Sequence, residues 1–353
     1  MALASFSLYN RDSGSIPCVL PAEDSQMKMH QWLIAALAMV GLALPVLADN
    51  PKPSGPNKRL LLVTDSGGFI HDSVGFAEET LKKLGPDNGF DVTCFRYTRD
   101  PEAVTNLSRT VLDKDGKPLK DKDGKDVKEQ YKGKVLDEYA SRFRKTTGAP
   151  VEKENCGRVS AETLKNFDVV LFFTTGAPLA EQEVADLSAW VKAGGAVAGT
   201  HCGSDTLYPD RHGKWAAAYG ELIGAYFDGH PWHAKVKLTV EDAEHAAGKS
   251  FKNGDEITDE IYQFRPEPYS RNKLHIILSI DNSSIDVSRG KRADKDYAVA
   301  WCQEVGKGRT FYTSLGHRKE VWADKRFQDH LFGGLNWTVQ RASGDAKPSG
   351  EKK

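Results

Sequence analysis

The sequence has almost no excess of charge of either sign. Its 48 Lys and Arg residues are balanced by 49 Asp and Glu residues, which leaves a formal net charge of -1 at pH 7. Proteins that bind nucleic acid or an anionic membrane through their overall field carry a clear positive excess. We therefore expect no nucleic-acid partner and no attraction to a charged membrane surface.

Apolar runs long enough to cross a membrane are also lacking. The longest run, Trp32 to Leu47, follows Lys28 and ends in the small-residue pattern Val46-Leu47-Ala48. It is shorter than the roughly 20 residues that a membrane span needs, and its flanks are typical of a secretory signal peptide. An N-terminal anchor helix is the alternative interpretation.

These features predict how the N-terminal part of the chain is organised. We expect a signal peptide over 27–48, a linker over 49–57 and a periplasmic or secreted mature protein that has no stable membrane insertion after cleavage. Residues 1–26 are polar and patternless, and they precede Met27 and Met29. We interpret 1–26 as a non-native upstream extension, with translation starting at one of these two methionines.

Cysteine is scarce, with five residues in 353. Cys18 lies upstream of the predicted leader, and the other four are Cys94, Cys156, Cys202 and Cys302. An oxidising compartment permits disulfides, and four cysteines allow three full pairings that the sequence does not distinguish. Cys94 and Cys156 flank one polar segment and are a candidate pair, whereas Cys302 is predicted to be a buried thiol.

The pattern of apolar segments predicts an α/β fold. Short buried strands at 59–64, 90–98, 167–175 and 196–200 alternate with amphipathic helices, and a strand pair follows at 297–317. This order predicts an open, mostly parallel sheet with helices on both faces, of the flavodoxin-like kind. No G-x-G-x-x-G follows the first strand, so we expect no nucleotide cofactor.

One domain is predicted over 58–340. Within it, 101–158 is a polar insertion in which Asp-Gly turns indicate a solvated hairpin, followed by an amphipathic segment near Val135 to Phe143. Calcium binding by its Asp residues is less favoured, because the spacing lacks the terminal Glu of a calcium loop. The composition of 341–353 predicts a disordered tail.

Histidines follow three of the predicted strands. His71, His201 and His317 each lie where a strand ends, and ligands of open parallel sheets bind at that edge. Ser66, Gly67 and Gly68 precede His71, and Arg318 follows His317. We expect the three histidines to act as bases or ligands and these neighbours to contact a bound molecule.

A second group of potential ligands lies in "YFDGHPWH". Asp228, His230 and His233 are suitable ligands for zinc or a similar divalent metal, although backbone-bonded turn histidines would give the same pattern. Further on, Asp259 and Glu260 are adjacent on a predicted strand, so one of them can enter a site while the other is expected to be solvated.

The segment "GGAVAGTHCGSD" resembles the strand-to-helix turn that presents a nucleophile. When the pattern G-x-Nuc-x-G is set on Gly199 and Gly203, the residue at the apex is His201 rather than Cys202. A thiol hydrolase using Cys202 is therefore disfavoured, and the cysteine is expected to pack.

The chain carries, in this order, the segments "LLLVTDSGGFIHDS", "FDVVLFFTT", "GGAVAGTHCGSDTLY", "YGELIGAYFDGHPWH", "DEIYQF" and "YAVAWCQEVGKGRTFYTSLGHRKEVW". Together they resemble the ThuA-like trehalose-utilisation family, which has a class I glutamine amidotransferase-like fold. Amidotransferase relatives carry a cysteine at the turn and a later "HPE". Here the corresponding residues are His201 and, in "GHRKE", His317 and Glu320, so glutamine hydrolysis is not expected.

The resemblance implies a small carbohydrate ligand, such as a disaccharide or a keto-glycoside. We expect acid–base or metal-assisted chemistry in which Asp205 and Glu320 orient the histidines. Trp232 and Tyr262 are expected to stack on the sugar ring, with Glu260 nearby. A non-catalytic carbohydrate-binding or regulatory module is the alternative, and the sequence leaves open whether the chain forms a homo-oligomer.

The leader assignment predicts a defined mature N-terminus. When the chain is expressed with an active secretory pathway, we expect cleavage after Ala48, because the apolar run and the small residues meet the requirements of signal peptidase. Intact-mass measurement of the exported protein should give a chain that starts at Asp49. Retention of 27–48 in a membrane fraction would instead support the anchor.

Overall fold

A computed structural model describes residues 54–350 of the chain. The predicted upstream extension and signal peptide lie outside the described residues. Within 54–350, no helix is long and apolar enough to cross a membrane.

Eleven strands and eight α-helices form the described part of the chain. The strands are β1 (Lys58–Val63), β2 (Phe90–Phe95), β3 (Val104–Thr110), β4 (Lys128–Lys134), β5 (Val169–Phe172), β6 (Ala196–Thr200), β7 (Trp232–Val240), β8 (Glu256–Ile261), β9 (His275–Ile280), β10 (Ala298–Val305) and β11 (Gly308–Thr313). The helices are α1 (Val74–Leu84), α2 (Val135–Thr147), α3 (Ala161–Leu164), α4 (Glu181–Lys192), α5 (Pro209–His212), α6 (Ala217–Ile223), α7 (Lys319–Ala323) and α8 (Lys325–Thr338).

Nine strands form one sheet in the order β2-β1-β5-β6-β11-β10-β9-β7-β8. The first five strands are parallel, which confirms the α/β prediction. The strands from β11 to β8 pair antiparallel. Apolar side chains pack on both faces of the sheet, under α1, α7 and α8 on one face and under α4 and α6 on the other.

Strand direction places the ends of several segments at one edge of the sheet. The parallel strands β1, β5, β6 and β11 all end there. Strand direction alternates from β11 through β10, β9 and β7 to β8. The first residues of β7 and the last residues of β8 therefore lie at the edge where β11 ends. Residues far apart in the sequence therefore lie at a common edge.

The polar insertion contains the expected hairpin and helix. Strands β3 and β4 pair antiparallel from Val104↔Lys134 to Thr110↔Lys128, and α2 follows directly. From α2, the Tyr139 hydroxyl accepts the backbone N–H of Ser66, and Arg142 donates to the Gly68 carbonyl. The insertion therefore holds the loop that follows β1.

In the described residues, the start of the C-terminal tail and the candidate cysteine pair differ from what the sequence suggests. Residues 341–350 are ordered against the sheet: Ser349 and Gly350 donate backbone hydrogen bonds to the carbonyls of Leu274 and Arg271. A polar composition did not exclude order, because backbone groups make these bonds. Cys94, which is buried in the core, and Cys156, which is half-buried, are both free thiols.

Burial of His330 predicts a loss of stability in acid. The ring is fully buried on α8, where Nδ1 bonds the Ala247 carbonyl, and burial lowers the pKa of His330 from 6.5 to about 4. The unfolded chain therefore takes up a proton first. This contribution is fully present above pH 6.5 and is lost as pH falls toward 4, by up to about 3 kcal/mol.

Urea unfolding of the wild type and of His330→Gln between pH 7.5 and 4.5 measures this contribution. We expect a smaller decline in the variant, whereas His212→Gln on α5 should follow the wild type. Equal slopes for the wild type and His330→Gln would contradict the assignment.

Candidate metal centre

Local backbone geometry fixes His201 where β6 ends. The chain enters a short 3-10 turn over His201–Ser204, and His201 has a φ of +44°, which is uncommon for a residue with a side chain. The Tyr312 hydroxyl donates to its carbonyl at 2.6 Å, and its Nδ1 lies 3.0 Å from the Ser314 carbonyl. Cys202, the next residue, is fully buried, as packing requires.

A glycine allows the loop after β1 to approach this turn. Gly176, just after β5, has a φ of +75°, and a Cβ there would lie 2.9 Å from the Gly68 backbone nitrogen. The Gly67 N–H also bonds the Thr175 carbonyl at 3.0 Å. This close contact places the following residues, including His71, against the end of β6.

Two other histidines, one carboxylate and one tyrosine hydroxyl surround Nε2 of His201. The atoms around it are His71 Nε2 at 3.2 Å, His317 Nδ1 at 3.2 Å, Glu260 Oε2 at 3.2 Å and the Tyr262 hydroxyl at 2.9 Å. Glu260 Oε2 is also 3.3 Å from His317 Nδ1. His201 is fully buried and Glu260 is nearly so. We call His71, His201, His317 and Glu260 the inner cluster.

Positive charge between His201 Nε2 and Glu260 Oε2 would stabilise their contact at 3.2 Å. The bond to the Ser314 carbonyl assigns the proton of a neutral His201 to Nδ1, so Nε2 presents a lone pair. A carboxylate oxygen at 3.2 Å would repel that lone pair. Either an added proton or a metal ion would remove the repulsion, because each places positive charge between the two atoms.

The donor spacing fits a divalent metal ion. A tetrahedral ion with bonds of about 2.0–2.1 Å to nitrogen and oxygen has donor atoms roughly 3.3 Å apart. Four donor pairs of the inner cluster lie at 3.2 or 3.3 Å. Imidazole and carboxylate ligands suit zinc, iron, manganese and nickel. A five- or six-coordinate ion would keep positions open for a ligand.

The pKa values of Glu260, His71 and His317 are shifted by burial and by the contacts among these side chains. Although burial opposes it, contact with His201 and His317 lowers the pKa of Glu260. Burial and then the two neighbouring imidazoles lower the pKa of His71 to about 2, so this ring stays neutral. Burial opposes protonation of His317 as well, but hydrogen bonding to Glu260 raises its pKa.

A second group lies beside the inner cluster. His233 Nε2 is 3.0 Å from Glu260 Oε1 and 3.0 Å from His230 Nδ1, and both rings are about half exposed. Asp228 is not in this group, because its carboxylate pairs with Lys291 at 3.5 Å. We call His230 and His233 the outer pair.

Two carboxylates expected to orient the histidines do not lie against them. Glu320 is exposed in the first turn of α7, and Asp205 accepts the Tyr208 hydroxyl at 2.7 Å. Glu260 is the carboxylate that contacts the imidazoles. Its neighbour Asp259 is fully buried rather than solvated, because it accepts the backbone N–H groups of Gly316 and Arg318.

The two rings expected to stack on a ligand are both buried. Trp232 packs against Tyr297 and donates its indole N–H to the Asp286 carbonyl, and Tyr262 points its hydroxyl at His201. An exposed aromatic side chain beside His71 is that of Phe69, which sequence reasoning missed. It is 66% exposed, and its ring centroid lies 4.8 Å from that of His71.

The remaining expected contacts lie around the inner cluster. Ser66 is buried and held by Tyr139, whereas Gly67 and Gly68 are exposed next to Phe69. Arg318 follows His317, and its Nε is buried without a hydrogen-bond partner among residues 54–350.

Comparison with known proteins establishes the family. The model of the ThuA family, described as trehalose utilisation, matches residues 122–338. The chain therefore belongs to the ThuA family, as its resemblance predicts. The match includes the outer pair and every member of the inner cluster except His71. No curated protein matches the chain.

Two solved structures share the fold. A ThuA-like protein from Bacteroides uniformis is 17% identical with a TM-score of 0.51, and the alignment covers 85% of this chain and 99% of that one. A ThuA-like protein from Parabacteroides merdae is 13% identical with a TM-score of 0.51, over 82% and 92% of the two chains. At these identities the similarity concerns the fold.

Proposed function

We propose that the chain is an exported, metal-dependent enzyme that acts on a small carbohydrate such as a disaccharide or keto-glycoside. The observation that carries the proposal is the convergence of four metal-ligand side chains on one point at the edge of the sheet. The class of substrate rests on the family description, trehalose utilisation.

The inner cluster supplies the ligands in this proposal. His71, His201 and His317 would donate ring nitrogens, and Glu260 would donate Oε2. A bound divalent ion supplies Lewis-acid chemistry, which polarises a carbonyl or hydroxyl oxygen of the sugar. Burial raises the pKa of Tyr262 well above its usual range, so its hydroxyl keeps a proton that it can donate beside His201.

Two side chains at the rim would position the sugar. The exposed ring of Phe69 offers an apolar surface next to His71, on which the C–H face of a pyranose can pack. The guanidinium of Arg318, a partly exposed residue next to His317, would donate to a sugar oxygen. Both lie on loops that follow parallel strands, where ligands of such sheets bind.

Loss of one metal ligand tests the proposed chemistry. We expect the purified protein to contain a first-row divalent metal. The His201→Ala variant should contain less metal and should turn over substrate on the order of 10²-fold more slowly, because a buried ligand is lost. His212→Ala on α5 is the matched control. Elemental analysis, with a product screen on glycosides and their keto forms, provides both readouts.

Chelation followed by readdition of metal completes the test. Turnover should disappear and then return with the ion. Activity that persists without metal would contradict the proposal, and stoichiometric sugar binding without product would support the non-catalytic alternative.

Phe69 provides a separate test of the substrate class. Phe69→Ala should weaken carbohydrate binding about tenfold, or about 1.4 kcal/mol, because the ring would lose its contact with the sugar. Isothermal titration with the best glycoside from the screen measures the affinity. Phe76→Ala, which removes a partly exposed ring on α1, serves as the control and should bind normally. Equal affinities for the two variants would argue against stacking on Phe69.

A further inference from the structure

We propose that the carboxylate of Glu260 bridges two divalent metal ions, the second of which is held by His230 and His233. This inference rests on the proposed function, since it places the second ion beside the one in the inner cluster. It changes the site from a mononuclear to a dinuclear centre.

The two oxygens of Glu260 face different groups of histidines. Oε2 lies 3.2 Å from His201 and 3.3 Å from His317. Oε1 lies 3.0 Å from His233 Nε2 and 3.7 Å from His230 Nε2. A carboxylate that directs one oxygen to each of two ligand sets has the arrangement of a bridging ligand.

Strand register produces this arrangement. His233 on β7 pairs directly with Glu260 on β8, so their side chains lie on the same face of the two strands. His230 lies three residues before His233, and the two ring centroids are 4.8 Å apart. The His233 and His317 ring centroids are 5.9 Å apart, so the two ligand sets are adjacent.

The outer pair has the character of an open metal site. His230, His233 and Glu260 offer three protein donor atoms within 4.8 Å of one another. Three donors leave positions for water or substrate. Because the two imidazoles are 48% and 46% exposed, we expect this site to bind its ion more weakly than the buried inner cluster.

A shared carboxylate would determine the kind of ligand that fits. In dinuclear sites the ions lie about 3.5–4 Å apart and hold two oxygens of the substrate. Adjacent carbonyl and hydroxyl oxygens of a keto-sugar, or two neighbouring hydroxyls, have a matching arrangement. Histidines that only hydrogen-bond to Glu260 are the competing explanation.

Manganese titration of the purified full chain distinguishes these explanations. After removal of bound metal, we expect equilibrium dialysis to show two Mn²⁺ per chain, the second weaker. Electron paramagnetic resonance should show exchange coupling between the ions, because one carboxylate connects them. His230→Ala/His233→Ala should bind one ion and show an uncoupled signal, while His212→Ala should retain two. Circular dichroism verifies that each variant is folded.

The remaining outcomes separate this inference from the proposed function. One ion in the wild type that is retained by the double variant and lost in His201→Ala would overturn the bridge and leave the proposed function intact. Two ions without exchange coupling would also overturn the bridge. A wild type that binds no ion would overturn both proposals.

Discussion

The contact between the Glu260 carboxylate and the surrounding imidazoles is the interaction on which the centre depends. A buried carboxylate is costly unless positive charge or hydrogen-bond donors surround it. Here His201 and His317 lie at 3.2 and 3.3 Å from one oxygen, and His233 lies at 3.0 Å from the other. Glu260 comes from the antiparallel half of the sheet, whereas His201 and His317 follow parallel strands. The centre therefore forms only when both halves of the sheet are in place.

The adjacent residue, Asp259, has a different task that follows from the alternation of a strand. Its side chain points away from Glu260 and accepts the backbone N–H groups of Gly316 at 2.7 Å and Arg318 at 3.1 Å. These bonds hold the backbone shortly before and directly after His317. Two consecutive carboxylates thus fix the same imidazole, one through its ring and the other through its backbone.

Much of this arrangement could be predicted from the sequence, and the remainder depends on long-range pairing. Buried strands followed by histidines were enough to predict a parallel sheet and to place His71, His201 and His317 at one edge. The contacts of Glu260 depend on the pairing of β7 with β8 and on the direction of β8, which no local pattern specifies. Glu320 was assigned by resemblance, but it lies exposed on α7. Trp232 is a residue type that often stacks on sugars, but its position on β7 places the side chain in the core.

The polar insertion has a consequence for any attempt to reduce this chain to a minimal domain. Its polar composition is typical of a surface insertion that can be deleted, and the hairpin is largely exposed to solvent. However, Tyr139 and Arg142 of its helix form hydrogen bonds with the backbone of Ser66 and Gly68. Phe69 and His71 follow directly after these residues. We expect removal of the hairpin alone to leave the centre intact. Removal of α2 as well would take away the hydrogen bonds that hold the loop carrying His71. A useful boundary for truncation therefore lies between β4 and α2.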